Sequence, residues 1–425
     1  MQKQVLKNYK GLSGVIKIPA DKSVSHRAIM FSSLAKGKSL IRNFSKGQDP
    51  NSTLKIFQQL GVNISFKASD IVEVDSSGSL NPSSLPLCCD NSGTTMRLIS
   101  GILAGQKFNS VLTGDESLSK RPMKRIIEPL KAMGANIESD ANHAPLKIYG
   151  SDLSGIKYSL PIASAQVKSC LLLAGLNADG ITTVSEPYLS RNHTELMLKY
   201  MGADIEVDGL SVSVKKSFLD AKEITVCGDI SSAAYFIVAA LIVPGSDIIL
   251  KNVGLNPTRC GIIEVVEAMG GDIKILEKKE VSGELVGDIR IRYSALKGCR
   301  ISGDIIPRLI DELPVIAVLA TQADGETVVS DAGDLRNKES DRIVTTVSEL
   351  KKLGANIDEK DDGFVISGKS TLCGGCEVES YNDHRLAMSL YVAGLISQKG
   401  ISINGFEWAG ISFPEFDELF SSLLN

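Results

Sequence analysis

A unit of about 70 residues recurs six times along the chain and limits its possible folds more than any other feature. Each copy opens with a polar, cap-type residue, continues as an apolar helix that stops near a glycine, and passes into a short strand-like segment. A second, more charged helix follows, and then an alternating segment such as Ala135-Asn136-Ile137-Glu138, which predicts a half-buried strand. The copies start near Ser23, Ser92, Ser164, Ile230, Glu312 and His384, which lie 69, 72, 66, 82 and 72 residues apart.

Six repeats predict two domains of three repeats each. A chain of 425 residues is too long for one ordinary hydrophobic core. The chain opens with a strand before the first apolar helix, so residues 1–18 are expected to join 230–425 in the domain of repeats four to six. Residues 19–229 then form the domain of repeats one to three. An open α/β solenoid is the weaker alternative, because its end repeats would need atypical capping sequences.

Composition and charge exclude several classes of protein. The chain carries 46 Lys and Arg against 50 Asp and Glu, a net charge of −4, so neither nucleic acid nor an anionic membrane is an expected partner. Every apolar run is shorter than the roughly 18 residues of a membrane span, and no signal-peptide pattern opens the chain. These features predict a cytoplasmic protein.

The eight cysteines are scattered and predict no metal site. Cys373 and Cys376 form the one Cys-x-x-Cys pair, and no second pair of ligands lies near it in the sequence. The adjacent Cys88 and Cys89 follow a proline-rich turn and are expected to be small buried residues.

Cationic side chains gather at the predicted helix starts. Lys22 and Arg27 flank the first start, where Asp21 and Ser23 are residues of the type that caps helices. Exposed N–H groups at a helix N-terminus, with cations beside them, make an anion-binding site. At the second start, Gly93 allows a ligand to approach the backbone closely.

The same device recurs at further helix starts in both halves of the chain. Lys338 and Arg342 are four residues apart and are predicted to share one face of a charged helix, with Glu339 pointing away from them. Any one of these clusters also fits a capped helix with solvated charges. If all the starts face one cleft between the domains, they suit substrates that carry several phosphates and carboxylates. The remaining starts carry Arg121 before Pro122, Ser164 with Gln166, Arg191, and Arg385.

Two carboxylates, Asp311 and Glu339, stand among these cations. A carboxylate surrounded by cations stays ionised and can act as a base, whereas a lysine among other cations, such as Lys22, can serve as a proton donor. The structural alternatives are a helix N-cap for Asp311 and a first-turn carboxylate for Glu339.

Seven ordered motifs resemble the EPSP synthase (3-phosphoshikimate 1-carboxyvinyltransferase) family over nearly the whole chain. The Ser190-Arg191-Asn192-His193-Thr194-Glu195 and Arg-Pro-Met forms are closer to the divergent second class of that family. The seven motifs are Asp21-Lys22-Ser23-Val24-Ser25-His26-Arg27, Asp90-Asn91-Ser92-Gly93-Thr94-Thr95-Met96-Arg97, Arg121-Pro122-Met123, Ser164-Ala165-Gln166-Val167-Lys168-Ser169, Asp311-Glu312-Leu313-Pro314, Lys338-Glu339-Ser340-Asp341-Arg342 and Asp383-His384-Arg385.

The resemblance implies an α/β fold of two domains, each of three βαβαββ units, described as an inverse α/β barrel. It implies transfer of the enolpyruvyl group of phosphoenolpyruvate to shikimate 3-phosphate, in the shikimate pathway to chorismate and aromatic amino acids. No metal or organic cofactor is implied, and a single chain is expected to be active. The resemblance also implies sensitivity to glyphosate, because Gly93 leaves room where an alanine would crowd the phosphoenolpyruvate site.

Site residues follow from the resemblance as well. Asp311 would accept the hydroxyl proton, while Glu339 and Lys22 would protonate and deprotonate the methylene carbon. Shikimate 3-phosphate would be held by Lys22, Ser23, Arg27, Ser164, Gln166, Arg191, Asp311 and Lys338. Phosphoenolpyruvate would be held by Lys22, Gly93, Arg121, Gln166, Arg342 and Arg385.

The chain departs from the family pattern in three places. Ala165 stands where many members have a second serine, and Asp334 stands where some have asparagine. Ile411-Ser412-Phe413-Pro414 lacks the lysine that some members place before Phe-Pro.

Three other functions remain as alternatives. UDP-N-acetylglucosamine enolpyruvyl transferases share the repeat fold but carry a reactive cysteine in a mobile loop, and residues 113–125 here contain none. A non-catalytic phosphometabolite-binding protein would need neither Asp311 nor Glu339. An RNA-end-modifying protein of related repeat architecture finds no support in the net charge or in stacking aromatic residues.

Overall fold

The computed structural model of the chain describes residues 1–6 and 10–424. Its α-helices are α1 (Lys22–Leu34), α2 (Gln48–Gln59), α3 (Gly93–Ala104), α4 (Glu116–Ser119), α5 (Lys124–Ala132), α6 (Ala165–Gly175), α7 (His193–Tyr200), α8 (Ile230–Ile242), α9 (Gly261–Ala268), α10 (Ile306–Leu309), α11 (Leu313–Ala320), α12 (Arg342–Lys352), α13 (His384–Ile396) and α14 (Phe416–Leu423). Short 3-10 helices span Gly303–Ile305, Gly333–Asn337 and Phe406–Ile411.

Most of the strands span two to five residues. They are β1 (Gln2–Val5), β2 (Ser13–Lys17), β3 (Ala35–Arg42), β4 (Asn63–Ala68), β5 (Ile71–Ser77), β6 (Leu87–Cys88), β7 (Ser110–Thr113), β8 (Asn136–Asp140), β9 (His143–Tyr149), β10 (Lys157–Ser159), β11 (Ile181–Ser185), β12 (Ile205–Asp208), β13 (Ser211–Lys215), β14 (Leu219–Asp220), β15 (Glu223–Thr225), β16 (Asp247–Gly254), β17 (Asp272–Val281), β18 (Glu284–Arg292), β19 (Leu296–Lys297), β20 (Arg300–Ile301), β21 (Ala323–Asp324), β22 (Glu326–Val329), β23 (Ile357–Lys360), β24 (Gly363–Ser367), β25 (Glu377–Glu379) and β26 (Ile401–Asn404).

The chain divides into two compact units. The first unit comprises Ala20–Cys227 with Glu280–Glu284, and the second comprises Met1–Pro19, Gly228–Lys279 and Leu285–Asn425. The sequence predicted domain boundaries after residues 18 and 229. In the structure the chain passes from one unit to the other after Pro19 and after Cys227. The five residues Glu280–Glu284, at the turn between β17 and β18, lie with the first unit, and no local pattern in the sequence marks them.

One sheet pattern recurs six times, once for each repeat. The strand that follows an apolar helix pairs in parallel with one neighbour and antiparallel with another. The parallel neighbour in general precedes the same helix, which makes a βαβ crossover. The antiparallel neighbour belongs to a hairpin after the charged helix, except that β26 pairs with β1. These six central strands are β3, β7, β11, β16, β22 and β26. The α/β class and its six repeats are therefore confirmed.

Repeats one and four exchange their first strands. Strand β2 precedes α1, yet it pairs with β16, which follows α8. Strand β15 precedes α8, yet it pairs with β3, which follows α1. Strand β1 likewise completes the sheet of β26. The N-terminal strands thus belong to sheets of the last three repeats.

Apolar helices form the centre of each unit. Every residue of α8 and α11 is buried, as are all but one of α13, and helices that are apolar on all sides pack in an interior. Helices α1, α3 and α6 hold the corresponding places in the first unit.

Candidate functional site

The predicted site residues fall into two groups, one in each unit. The second unit carries Asp311, Lys338, Glu339, Arg342 and Arg385. The first unit carries Lys22, Ser23, Arg27, Gly93, Arg121, Ser164, Gln166 and Arg191.

Arg342 is the centre of the group in the second unit. Its side chain is only 2% exposed, and its guanidinium contacts three carboxylates. Asp383 Oδ2 lies 2.7 Å from Nε, Glu339 Oε2 lies 2.6 Å from Nη2, and Asp311 Oδ1 lies 3.3 Å from Nη1. Burial alone would lower the pKa of Arg342, but the charges of these carboxylates raise it above its ordinary value. The arginine is therefore a fixed cation.

Asp311 lies between two cations rather than at a helix cap. Its Oδ1 is 3.3 Å from Arg342 Nη1 and 3.9 Å from Lys338 Nζ. The cap residue of α11 is Glu312, whose buried carboxylate accepts a hydrogen bond from the Ser231 hydroxyl. The helix-cap alternative for Asp311 is therefore wrong, and the neighbouring cations favour the ionised carboxylate that a base requires.

Lys338 and Glu339 lie before a helix and not on one. Helix α12 begins at Arg342 with Asp341 as its cap, and Lys338 ends the preceding 3-10 helix. The prediction that Lys338 and Arg342 share a helical face is wrong. Glu339 does not point away from the cations either, because it binds Arg342 directly. The first-turn alternative for Glu339 is also wrong, because Glu339 precedes the cap residue of α12.

Arg385 is buried at the start of α13. Burial lowers its pKa, but Tyr235 and the charges of Asp311, Asp229 and Glu312 outweigh that effect, so the pKa lies well above its ordinary value. The charge of Asp311 thus acts on both Arg342 and Arg385. Cation and carboxylate are held at one place by contacts made within the second unit.

Lys22 and Arg27 lie on the first turns of α1 in the first unit. Asp21 caps this helix by accepting a hydrogen bond from the Val24 N–H at 2.8 Å. Lys22 Nζ lies 3.1 Å from Asp49 Oδ2, so its surroundings are not purely cationic as the sequence suggested. Arg27 is 3% exposed, and its Nη1 donates to the Ser23 carbonyl at 2.9 Å.

Gly93, Gln166 and Arg121 are brought together through Arg97. Arg97 Nη1 donates to Gln166 Oε1 at 2.7 Å, and Gln166 Nε2 donates to Thr94 Oγ1 at 3.0 Å. A Cβ atom at Gly93 would lie 2.8 Å from Arg97 Nη1 and 3.5 Å from Arg121 Nη1. The start of α3 is therefore a confined place lined by two guanidinium groups, which suits a small anion.

Arg121 and Ser164 come from different local structures. Arg121 lies between α4 and α5, where its Nη2 donates to Asn91 Oδ1 at 3.0 Å. Helix α5 begins at Lys124, so Arg121 and Pro122 lie before the helix and not at its start as expected. Ser164 caps α6, and its hydroxyl accepts from the Val167 N–H at 3.4 Å. Ala165, at the position of the missing serine, is the first residue of that helix.

Arg191 precedes the cap of α7 and is close enough to Arg27 for its charge to lower the pKa of Arg27. Arg27 in turn reaches Ser169 on α6, with 2.9 Å between its Nη2 and the serine Oγ. The starts of α1, α6 and α7 are thus linked within the first unit.

The helix caps differ in charge between the two units. In the first unit Asp21, Ser92 and Ser164 cap the apolar helices. In the second unit all three cap residues are carboxylates: Asp229, Glu312 and Asp383. Carboxylates offset the positive helix ends of the second unit and hold buried arginines beside them, whereas two neutral caps leave more of the dipole field for anions in the first.

Several side chains that shape these groups were missed from the sequence. Asp49 binds Lys22 and Asp383 binds Arg342, and both partners are distant in sequence. Arg97 was part of a motif but was given no role. Asp334, where some relatives have asparagine, lies 3.4 Å from Lys338 Nζ. Of these residues, Asp383 alone had a signal in the sequence, because it directly precedes the predicted helix start at His384, where a cap residue is expected.

Residues 1–6 and 10–424 contain neither a cluster of metal ligands nor a membrane-spanning helix. No group of three or more His, Cys, Asp or Glu side chains is arranged to hold a metal ion in this part of the chain. None of its helices combines the length and apolar character of a membrane span. Cys89 is buried as expected, but Cys88 is exposed, contrary to the expectation.

Comparison with known proteins gives consistent sequence matches. The model of the EPSP synthase (3-phosphoshikimate 1-carboxyvinyltransferase) family matches residues 6–420. A 3-phosphoshikimate 1-carboxyvinyltransferase from Thermoanaerobacter sp. (strain X514) is 51% identical over 420 residues, which cover 98% of this chain and 99% of the relative. Another from Bacillus licheniformis is 50% identical over 411 residues, 96% of each chain.

Solved structures extend the likeness to three dimensions. An EPSP synthase from Acinetobacter baumannii matches with a TM-score of 0.90 and 43% identity, covering 100% of this chain and 98% of its own. The enolpyruvyl transferase NikO from Streptomyces tendae matches with a TM-score of 0.81 at 16% identity, covering 99% and 97% of the two chains, which shows a shared fold alone.

Proposed function

The chain belongs to the EPSP synthase family, and on that premise we propose that it transfers the enolpyruvyl group of phosphoenolpyruvate to the 5-hydroxyl of shikimate 3-phosphate. The products are the enolpyruvyl ether and inorganic phosphate. The relatives of about 50% identity over nearly the full chain carry the name of this activity.

The proposed reaction is an addition followed by an elimination. The 5-hydroxyl oxygen bonds to C2 of phosphoenolpyruvate while the methylene carbon C3 takes a proton. The resulting tetrahedral intermediate then loses phosphate from C2 and a proton from C3, which restores the double bond. Asp311 accepts the hydroxyl proton, and Glu339 and Lys22 exchange the proton at C3.

The observation that carries the proposal is the position of Asp311 between Lys338 and Arg342. The proposal assigns Lys338 to shikimate 3-phosphate and Arg342 to phosphoenolpyruvate. A carboxylate that contacts one cation for each substrate is placed to take a proton from the acceptor as the new bond forms. A protein that only bound phosphometabolites would gain nothing from an anion at that point.

The other substrate contacts are proposed on the same basis. Lys22, Ser23, Arg27, Ser164, Gln166, Arg191 and Asp311 bind shikimate 3-phosphate together with Lys338. Lys22, Gly93, Arg121, Gln166 and Arg385 bind phosphoenolpyruvate together with Arg342. The buried arginines and the confined start of α3 support this assignment, because fixed cations and backbone N–H groups suit phosphate and carboxylate.

The compartment and active form belong to the same proposal. We place the enzyme in the cytoplasm, and its eight free cysteines suit a reducing compartment. We also propose that the active form is a monomer, since one chain supplies every residue assigned to the reaction.

Phosphate release tests the proposal directly. The protein is incubated with phosphoenolpyruvate and shikimate 3-phosphate, and inorganic phosphate is followed over time. Release that requires both substrates is the expected result. Release with UDP-N-acetylglucosamine and not with shikimate 3-phosphate would identify the rival transferase, and binding of both substrates without release would identify a binding protein.

A further inference from the structure

Lys168 is a buried cation that the proposed reaction does not use. It lies on the second turn of α6, two residues after Gln166, and its side chain is fully buried. Its Nζ is 2.7 Å from Glu186 Oε1 and 2.8 Å from Glu195 Oε1. Buried ions cost desolvation free energy, so a buried ionic group is weak evidence for stability and needs another explanation.

Glu186 closes the loop that leads to Arg191. It follows the last residue of β11, and its Oε1 accepts a hydrogen bond from the Ser190 N–H at 3.0 Å. Its Oε2 accepts from the Ser190 hydroxyl at 2.5 Å, and Lys168 Nζ lies 3.5 Å from the Ser190 carbonyl oxygen. Backbone and side chain of Ser190 are therefore both fixed, immediately before Arg191.

Glu195 ties the segment that follows Arg191 to the same lysine. It lies in the first turn of α7, four residues after Arg191, and binds the same Lys168 ammonium. We call Lys168, Glu186, Ser190 and Glu195 the Lys168 cluster. The chain on both sides of Arg191 is thus tied to one buried cluster, although Arg191 itself lies outside regular secondary structure.

The charge of the cluster acts on neighbouring arginines. Glu195 Oε2 is buried and accepts no hydrogen bond within the described chain, which costs free energy. Burial lowers the pKa of Arg27 to about 10, and the charge of Glu195 is the largest influence in the opposite direction. With one ammonium and two carboxylates, the cluster has a net charge of −1 near Arg27 and Arg191.

A second layer of hydrogen bonds links Arg27 to the same two helices. Arg27 Nε donates to Thr194 Oγ1 at 2.7 Å, and the hydroxyls of Thr194 and Ser169 are 2.6 Å apart. The adjacent pairs Lys168-Ser169 on α6 and Thr194-Glu195 on α7 therefore fix both arginines that are assigned to shikimate 3-phosphate.

We propose that the Lys168 cluster positions Arg191 for the phosphate group of the acceptor substrate, with Lys168 and Ser190 as positioning residues that do not touch the substrate. The inference rests on the proposed function, because the role of Arg191 as a phosphate contact comes with it. It predicts that loosening the cluster weakens binding of shikimate 3-phosphate and leaves phosphoenolpyruvate unaffected.

Ser190→Ala is the variant of choice. It removes one hydrogen bond to Glu186 and leaves the Lys168 ammonium paired with both carboxylates. Lys168→Met would instead leave two buried carboxylates without their cation. The dissociation constant for shikimate 3-phosphate is expected to rise about tenfold in calorimetry, since a hydrogen bond to a charged group is lost. The KM for phosphoenolpyruvate is expected to stay unchanged, whereas the urea midpoint is expected to fall, because the buried Glu186 carboxylate loses a hydrogen bond. Ser185→Ala, which removes a hydroxyl pair with Ser211 on the adjacent strand, is the matched control.

A double variant distinguishes positioning from a general loosening. If Ser190 acts through Arg191, the double variant Ser190→Ala/Arg191→Ala binds shikimate 3-phosphate no more weakly than Arg191→Ala alone. Three results would each overturn the inference. The first is a dissociation constant of the double variant that rises by the product of the two single-variant factors. The others are an equal loss of affinity for both substrates and unchanged binding of shikimate 3-phosphate by Ser190→Ala. If the wild-type protein itself binds no shikimate 3-phosphate, the proposed function fails and the inference fails with it.

Discussion

The carboxylate of Asp383 holds the guanidinium of Arg342 at two points, with 2.7 Å between Oδ2 and Nε and 3.3 Å between Oδ1 and Nη2. The same carboxylate caps α13 by accepting a hydrogen bond from the Arg385 N–H at 2.8 Å. One fully buried side chain therefore orients Arg342 and fixes the start of the helix that carries Arg385, the two arginines proposed to bind phosphoenolpyruvate.

Asp383→Asn separates helix capping from the ionic contact with Arg342, because asparagine can still cap the helix but carries no charge. The KM for phosphoenolpyruvate is expected to rise about tenfold or more, since a charge-assisted two-point contact is lost, while the KM for shikimate 3-phosphate changes little. Steady-state kinetics with each substrate varied in turn measure both values. Ser340→Ala, which removes a 3.1 Å hydrogen bond donated by an uncharged hydroxyl to the same carboxylate, serves as control. An unchanged KM for phosphoenolpyruvate would remove Asp383 from this role.

Asp311→Asn is expected to lower kcat by at least about a hundredfold, because the amide cannot accept the hydroxyl proton. Binding of both substrates, measured by calorimetry, is expected to remain within a few fold of the wild-type value, since the cations stay in place. Asp334→Asn is the matched control, because Asp334 is the other carboxylate beside Lys338. Full turnover in Asp311→Asn would leave Asp311 as no more than a partner of the two cations.

Gly93→Ala is expected to raise both the KM for phosphoenolpyruvate and the inhibition constant of glyphosate. The added Cβ would lie 2.8 Å from Arg97 Nη1, which is hydrogen-bonded to Gln166 and cannot move without breaking that contact. Gly410→Ala is a suitable control, since a Cβ there meets no atom within 4 Å. A wild-type enzyme that turns over unchanged in millimolar glyphosate would contradict the expected sensitivity.

His26 should make the free energy of unfolding depend on pH. The imidazole is buried with its Nδ1 2.7 Å from Thr53 Oγ1, and burial, Lys22 and Arg27 hold its pKa well below 6.5. As the pH falls below about 6.5, His26 binds a proton in the unfolded chain but stays neutral in the folded chain. The free energy of unfolding therefore falls by up to about 1.4 kcal/mol per pH unit.

His26→Gln removes the titrating imidazole, so the free energy of unfolding is expected to depend less on pH between 5 and 8. Urea unfolding at pH 8 and pH 5 gives the difference between wild type and variant, which cancels the contribution of the carboxylates. His143→Gln, in the partly exposed β9, is the control. Parallel pH profiles for wild type and His26→Gln would show that the folded protein protonates His26 readily.

The repeat allowed much of the fold to be predicted, because its signals are local. Cap residues, apolar helices and the following strands recur within each copy, so the six helix starts at Ser92, Ser164 and their counterparts lie within two residues of the cap positions in the structure. The turn at Glu280–Glu284 could not be assigned in this way, because its contacts are made with residues distant in sequence.

The candidate site was predicted less completely, since side-chain partners come from other repeats. Nothing in the sequence joins Lys22 to Asp49 or Arg342 to Asp383, which are 27 and 41 residues apart. Lys338 and Arg121 were placed on helices because a cation and a cap or proline precede a charged segment. In the structure both lie in the irregular segments just before α12 and α5.

The chain is proposed to form an enolpyruvyl ether at the 5-oxygen of shikimate 3-phosphate. Nuclear magnetic resonance of the products formed from phosphoenolpyruvate and shikimate 3-phosphate identifies the oxygen that carries the new group. The expected result is one enolpyruvyl group on the 5-oxygen for each phosphate released, formed by the wild type and almost absent with Asp311→Asn. An enolpyruvyl group on another acceptor, or no transfer at all by the wild-type protein, would contradict the account.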